Sequence, residues 1–403
     1  MASSRKRIRL FHPDYDEPDM LFMLPADDGP LRDKTPYLVV HAAASAIANN
    51  RRDGWLSKAQ DGSERIEETT PWLEAGDYFY HVPGSDKPWP VVPNFESWSF
   101  PHNQGAPSLW RQASEAEAAQ ASHGPPSMLA EFCRITNRDL PLQTAHIIPA
   151  AEKQWFGTNR MDQYGDIDGR MGDSVADTWA NRMRLTCDAH TLWDSNKFTI
   201  IPNQQEEKDN RLEAVGWRTH RLNEQEGVFK YWHKIPLQPL VGRASEFLYA
   251  RFVWDIFPLI QGFLHSGPPR RLAIYNQSLS KFEFPMLTKA ERRVFTMGQG
   301  RGRSASPTKR QRSTQPDDPA DSALSDNNVA GLPTLGKENR GVKRARLSSL
   351  SRSQDSAVCG IVDSKARSFD DEADFVQRHV RLSRSPDFEP SSEQPRGRRR
   401  ERV

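Results

Sequence analysis

A chain of 403 residues is long enough for two or three domains. Only 36% of it is hydrophobic and 30 residues are Pro, which points to ordered parts separated by disordered ones rather than one continuous globule. The net charge of +2 divides into about −4 over the first 300 residues and about +6 over the rest, so the basic balance lies in the tail and no run of apolar residues suggests a membrane span.

In chain order, residues 8–11 read as a short strand and 20–24 as a second apolar segment. Residues 37–48, rich in Ala with Leu and Val, read as a helix. Asn50-Arg51-Arg52-Asp53-Gly54 breaks it. A strand is expected at 78–82, and Trp72, Trp89 and Trp98 suggest a packed unit. Residues 1–100 thus form a small N-terminal α/β region without a chemical motif. Residues 101–127 turn polar and rich in Ala, Gln, Glu and Ser, as a linker or loose helix does. A central unit follows over 128–266: a strand at 142–148, a long loop, a helix beginning near Asn181, and a strand at 198–201. Within it, 246–257 places aromatic and aliphatic residues at helical spacing on more than one face. That predicts a buried helix running to about 264, able to cover a thin neighbour, and ended by Gly267-Pro268-Pro269. Residues 267–297 form a peripheral segment.

From 298 to 403 the chain is Ser/Arg-rich with few aromatics, the composition of a disordered tail. Its basic clusters, such as Lys309-Arg310-Gln311-Arg312 and Lys343-Arg344-Ala345-Arg346, suit nuclear import or non-specific nucleic-acid contact, so a nuclear, otherwise cytoplasmic, location is expected. Ser306-Pro307 and Ser385-Pro386 are weak matches to phosphorylation sites. Cys133, Cys187 and Cys359 are far apart and imply no disulfide framework.

The chemistry concentrates in the central unit. His146 stands in Thr144-Ala145-His146-Ile147-Ile148-Pro149, and Asn181 precedes His190 by nine residues with Leu185 between them. A neutral His removes a proton from water near pH 7, so His146 is the candidate base. Asn181 is the candidate orienter, although Asn also caps helices well. His190 and Asp194, at i and i+4 of a helix, can share a divalent cation such as Mg, Mn or Zn. Asp194 also suits a turn, and Arg182 and Arg184 suit either phosphates or solvent.

The run from Cys133 to Pro202, including Ala145-His146-Ile147-Ile148-Pro149, Trp155-Phe156-Gly157-Thr158-Asn159, Asn181, Leu185, Asp188-Ala189-His190 and Phe198-Thr199-Ile200-Ile201, resembles the fungal HNH nuclease domain family. The aromatic segment at 246–252 resembles the C-terminal helix of such proteins. The resemblance implies an α+β fold around a central ββα-metal unit, with His146 as catalytic base, Asn181 as catalytic orienter, and His190 with Asp194 as metal ligands. It also implies a divalent metal ion as cofactor and nucleic acid, DNA foremost, as partner. Three departures stand out. Ala145 occupies a position where many HNH enzymes carry a metal ligand. Thr186 and Ala189 stand where others carry zinc-binding cysteines. The insertion between His146 and Asn181 is long, and Asp162, Asp166, Asp168 or Asp173 in it is a candidate replacement ligand.

Two functions compete. One is an HNH endonuclease hydrolysing phosphodiester bonds in DNA. The other is a catalytically inactive HNH scaffold serving as a nuclear nucleic-acid or protein binding module. A phospho-regulated scaffold acting through the tail is a third.

Overall fold

The computed structural model describes residues 6–297, apart from 18, 122–130, 166–173, 207–211, 223, 241, 277–278 and 280. The expected disordered tail at 298–403, with its basic clusters, Ser-Pro sites and Cys359, lies outside the described residues.

The N-terminal region is built on β1 (Arg7–Phe11) and β2 (Met20–Pro25). In β1 the alternation puts Ile8 and Leu10 in the core and Arg7 and Arg9 outside, the signature of a half-buried strand. The short β3 (Lys34–Pro36) leads into α1 (Tyr37–Ile47), whose small Ala side chains let it bury on nearly every side. Then come β4 (Trp55–Ser57), β5 (Trp72–Glu74) and β6 (Gly76–His81). The main sheet has the order β2-β1-β6-β4, parallel only between β1 and β6, while β3 pairs with β5.

Within 101–127, where the sequence suggests a linker, α2 (Ser108–Ala121) is a formed helix packed against β10 and α6, two later elements (Leu212–Arg221 and Ser245–Ile256). Its polar look hides a narrow apolar stripe through the buried Leu109, Trp110 and Ala113. Next are β7 (Leu142–His146) and α3 (Lys153–Thr158). Asn181 does not open a helix. It ends a 3-10 turn, Trp179–Asn181, and Arg182–Thr186 forms β8, antiparallel to β7. The alternation Arg182, Met183, Arg184, Leu185 has the strand period of two, and only Met183 and Leu185 of these four are buried. The helix, α4 (Cys187–Asp194), begins at Cys187.

A long hairpin of β9 (Phe198–Glu206) and β10 follows, then α5 (Glu226–Trp232), α6, α7 (Gln261–His265) and, after two small strand pairs, α8 (Lys289–Met297). The helical run Ser245–His265 is long and apolar enough to cross a membrane by length and composition, but most of it is buried within the protein, as in a core helix. One hydrophobic core joins the regions. Trp98 stacks on Trp155 of α3 at 5.5 Å between centroids, with Tyr249 of α6 edge-on to Trp98 at 6.0 Å. The α+β expectation holds in this mixed form, with several small sheets in place of one large one.

Candidate active site on the 142–194 segment

The register of β7 on β8 decides which side chains share a face. His146 pairs with Arg182 and Thr144 with Arg184, while Ala145 pairs with Met183 and Gln143 with Leu185. One face therefore carries His146, Thr144 and the two arginines. The other carries the buried Ala145, Met183 and Leu185 together with Gln143, and meets α4.

His146 is partly exposed, and its Nε2 lies 2.8 Å from Asp177 Oδ1. The same oxygen accepts a bond from Arg182 Nη2 at 2.7 Å. Burial tends to raise the Asp177 pKa, but the bonds from His146 and Arg182 outweigh it and hold the carboxyl below its ordinary value. An ionised Asp177 only accepts, so Nε2 of the neutral ring carries the proton and Nδ1 is left as the lone pair.

Asn181 is fully buried. Its Oδ1 accepts from Ile148 N–H at 2.8 Å, and its Nδ2 donates to the carbonyls of Ile148 and Ala176, both at 3.0 Å. Its own carbonyl accepts from Ile147 N–H at 2.8 Å. The carboxamide thus ties the two residues after His146 to the loop before β8. It caps no helix.

His190 projects from α4 toward Gln143, whose Oε1 lies 2.7 Å from Nδ1. With that oxygen accepting, the proton sits on Nδ1 and Nε2 is the lone pair. Nε2 faces Asp194 Oδ2 at 3.3 Å, one turn further along α4. Burial lowers the His190 pKa, opposed by Asp194 and assisted by His146 and Arg251. A neutral ring therefore presents a lone pair to a carboxylate, two electron-pair donors converging on one point. This donor set fits a hard or borderline divalent cation. His146 and His190 are close enough to act on each other electrostatically.

Two further residues hold the frame. Trp193 of α4 donates its indole N–H to the His146 carbonyl at 3.1 Å. Arg251 of α6, almost fully buried, donates to the carbonyls of Trp193 at 2.5 Å and Ile147 at 3.4 Å, and to Asp255 at 3.0 Å. Its guanidinium also stacks on the rings of Trp193 and Trp254, 3.9 and 4.5 Å from their centroids. One side chain thus grips both the end of β7 and the end of α4.

Residues 133–201 match the family model of the HNH endonucleases. This segment is an HNH domain. No curated protein and no solved structure matches the chain. The HNH domain contains every site residue singled out from the sequence, and the structure gathers His146, Asn181, His190 and Asp194 around the β7, β8 and α4 junction. Arg184 reaches Thr144 Oγ1 at 3.0 Å, while Arg182 is tied to Asp177. Asp162 is exposed on the turn Met161–Tyr164, and Asp166, Asp168 and Asp173 lie outside the described residues. Among the described residues of the insertion, the acidic one bonded to His146 is Asp177. Sequence reasoning missed Asp177, Gln143 and Arg251. Only Arg251 left a signal, as a lone cation in an apolar helix.

A second grouping of ligand-type side chains, Asp28, His220 and His233, lies outside the HNH domain, with donor atoms within 4.8 Å of one another. Its surroundings suit a divalent cation poorly. Asp28 Oδ1 already meets Arg218 Nη1 at 3.0 Å and Lys234 Nζ at 2.8 Å. His233 Nδ1 accepts from Arg221 N–H at 3.3 Å, so the neutral ring keeps its proton on Nε2, the atom a metal would need. Burial lowers the pKa of His220 to about 4 and of His233 to about 2. The cluster is a buried ion pair with two neutral imidazoles, joining the turn after β2 to β10.

Proposed function

We propose that the protein is a metal-dependent endonuclease that hydrolyses phosphodiester bonds in DNA, built on a ββα-metal unit of β7, β8 and α4. The observation that carries this reading is the 3.3 Å approach of His190 Nε2 to Asp194 Oδ2 beside a histidine whose Nε2 is held by Asp177.

His190 and Asp194 would hold the cation, Mg, Mn or Zn, with Gln143 fixing the His190 ring. Such an ion supplies charge stabilisation at the phosphate and the leaving oxygen. His146 Nδ1 takes the proton of the attacking water as oxygen bonds to phosphorus and the P–O bond to the leaving strand breaks. Asp177, still bonded to Nε2–H, steadies the imidazolium that results. Asn181 keeps the backbone of Ile147 and Ile148 in place, so the ring cannot swing from the water. Arg184, on the same face as His146, is placed to meet a phosphate.

The test is cleavage of supercoiled plasmid by the full chain with Mg²⁺, Mn²⁺ or Zn²⁺. Loss of cleavage in His146→Ala, with calorimetric metal uptake retained there and lost in His190→Ala, is the expected pattern. Failure of all three metals over a wide enzyme range overturns it. Ala145, fully buried, brings no ligand from its position and favours the alternative of a binding module without turnover. DNA binding with no cleavage and no effect of His146→Ala would establish that reading instead.

A further inference from the structure

We infer that Trp179 is a stacking platform for an unpaired nucleobase next to the scissile phosphate, so that the enzyme takes single-stranded or locally unpaired nucleic acid. The inference rests on the nuclease reading of the same site. Trp179 stands at the crown of the loop from Asp177 to Arg182. That loop is closed by the Asp177–Arg182 ion pair, and His146 bonds to the same Asp177 oxygen. Trp179 lies two positions beyond Asp177, at most about 7 Å along the chain. A base resting on the indole therefore belongs to a nucleotide adjacent to the one attacked.

The indole is held in place yet remains partly exposed. Arg243 lays its guanidinium over one face at 3.6 Å from the centroid and donates Nε–H to the Arg182 carbonyl at 2.8 Å. Gly242, at φ +75, runs so close that a Cβ there would sit 2.6 Å from Trp179 Cζ3. Only a glycine fits that approach. Despite this support Trp179 stays 40% exposed, unlike the Trp98, Trp110, Trp193 and Trp217 indoles, which are fully buried. A rigid aromatic surface loses little entropy when a base stacks on it.

Charge identifies the occupant. Arg184 lies on the His146 face close to the turn, the place for a backbone phosphate, while Arg182 is held by Asp177. An apolar peptide would gain nothing from Arg184. A fully paired duplex keeps its base faces inside the stack, beyond reach of an indole on a turn. An unpaired strand offers both phosphates and a free π-face, the combination that proteins binding single strands exploit.

The experiment measures binding of a fluorescent dT 20-mer and of a duplex of equal length to the full-length protein by anisotropy. It compares wild type, Trp179→Leu, Trp179→Phe and Arg184→Ala, all in a His146→Ala background that prevents cutting. Trp179→Leu, which fills the space without a π-face, should weaken single-strand binding about 5- to 150-fold and change duplex binding by less than about twofold. Trp179→Phe should recover most of the loss, and Arg184→Ala should weaken both substrates alike. Equal single-strand affinity of Trp179→Leu and wild type, or an equal loss on duplex, overturns the inference. So does a Trp179→Phe protein that stays as weak as Trp179→Leu while both keep the wild-type melting temperature. Plasmid cleavage is read separately: a Trp179-dependent strand preference without cleavage sinks the nuclease reading alone, and cleavage without that preference sinks this one alone.

Discussion

Replacing Arg251 by Met tests whether α6 clamps the frame of the candidate site. The substitution keeps a flexible apolar side chain of similar reach but removes the charged bonds to the Trp193 and Ile147 carbonyls. It also leaves Asp255, completely buried, without its guanidinium partner. Breaking one side of a buried ion pair costs about 3–5 kcal/mol, and each orphaned carbonyl adds to it. Taking about 2 °C per kcal/mol for a unit of this size, melting should fall by roughly 6–10 °C. Burial already raises the Asp255 pKa to about 6, against the opposing pull of Arg251. Removing the charge itself should therefore relieve the variant. Asp255→Asn retains the oxygen that accepts from Asn196 Nδ2 at 3.1 Å while discarding the charge. Arg251→Met with Asp255→Asn should be more stable than Arg251→Met alone, and the cycle should show a coupling of about 1–3 kcal/mol. Urea unfolding followed by circular dichroism and by tryptophan fluorescence supplies the four free energies. A loss below about 1 kcal/mol for Arg251→Met, or strict additivity of the pair, would refute the clamp.

Other outcomes follow from the same geometry. His146→Ala should lower kcat by about 10²–10⁴, the usual share of general-base catalysis, with KM for DNA little changed in steady-state assays. Asp177→Asn offers the His146 ring an amide that can donate where only an acceptor serves, so kcat should fall roughly 10²-fold while metal uptake by calorimetry stays intact. Asn181→Ala orphans the buried N–H and C=O of Ile148 and should cost about 2–4 kcal/mol in urea titrations. His220 and His233 are buried as neutral rings with pKa values depressed to about 4 and about 2, whereas the unfolded chain protonates them near 6.5. Their stabilisation is complete above pH 6.5 and drains as pH falls toward 4, by about 2–3 kcal/mol per pH unit for the two together. Unfolding free energies that stay level between pH 7 and pH 5 would contradict this.

The sequence discloses most where chemistry and periodicity coincide. The alternation of Ile8 and Leu10, the Ala-rich α1 and the apolar run of α6 each state their burial locally, and the structure follows them. The spacing of the candidates His146, Asn181 and His190 is also visible in the sequence, and the structure sets them at the end of a strand, in a turn and on a helix. β8 is the instructive miss. Treating Asn181 as the start of a helix overlooks the two-residue rhythm of Arg182 to Leu185, which was present to be read. Asp177, Gln143 and Arg251 are of another kind. Each acts across a gap of 31, 47 or 104 residues, and no local pattern encodes such a meeting.

The strand register also bears on the missing ligand at Ala145. Neighbouring residues of a strand point to opposite faces, so Ala145 shares its face with Gln143, the residue that meets His190 of α4. If the cation lies on the α4 side, Gln143 occupies the same face two residues earlier and already touches the ring of His190. It can fix the His190 tautomer without being charged, which leaves Asp194 as the carboxylate that faces Nε2. Gln143→Leu should therefore weaken metal uptake about 10- to 100-fold, the typical effect of removing a ligand's hydrogen-bond partner. Calorimetry with Mn²⁺ reads that change directly. Unaltered affinity in Gln143→Leu would mean that the His190 ring is oriented by Asp194 alone, and that the lone pair assigned to Nε2 is misplaced.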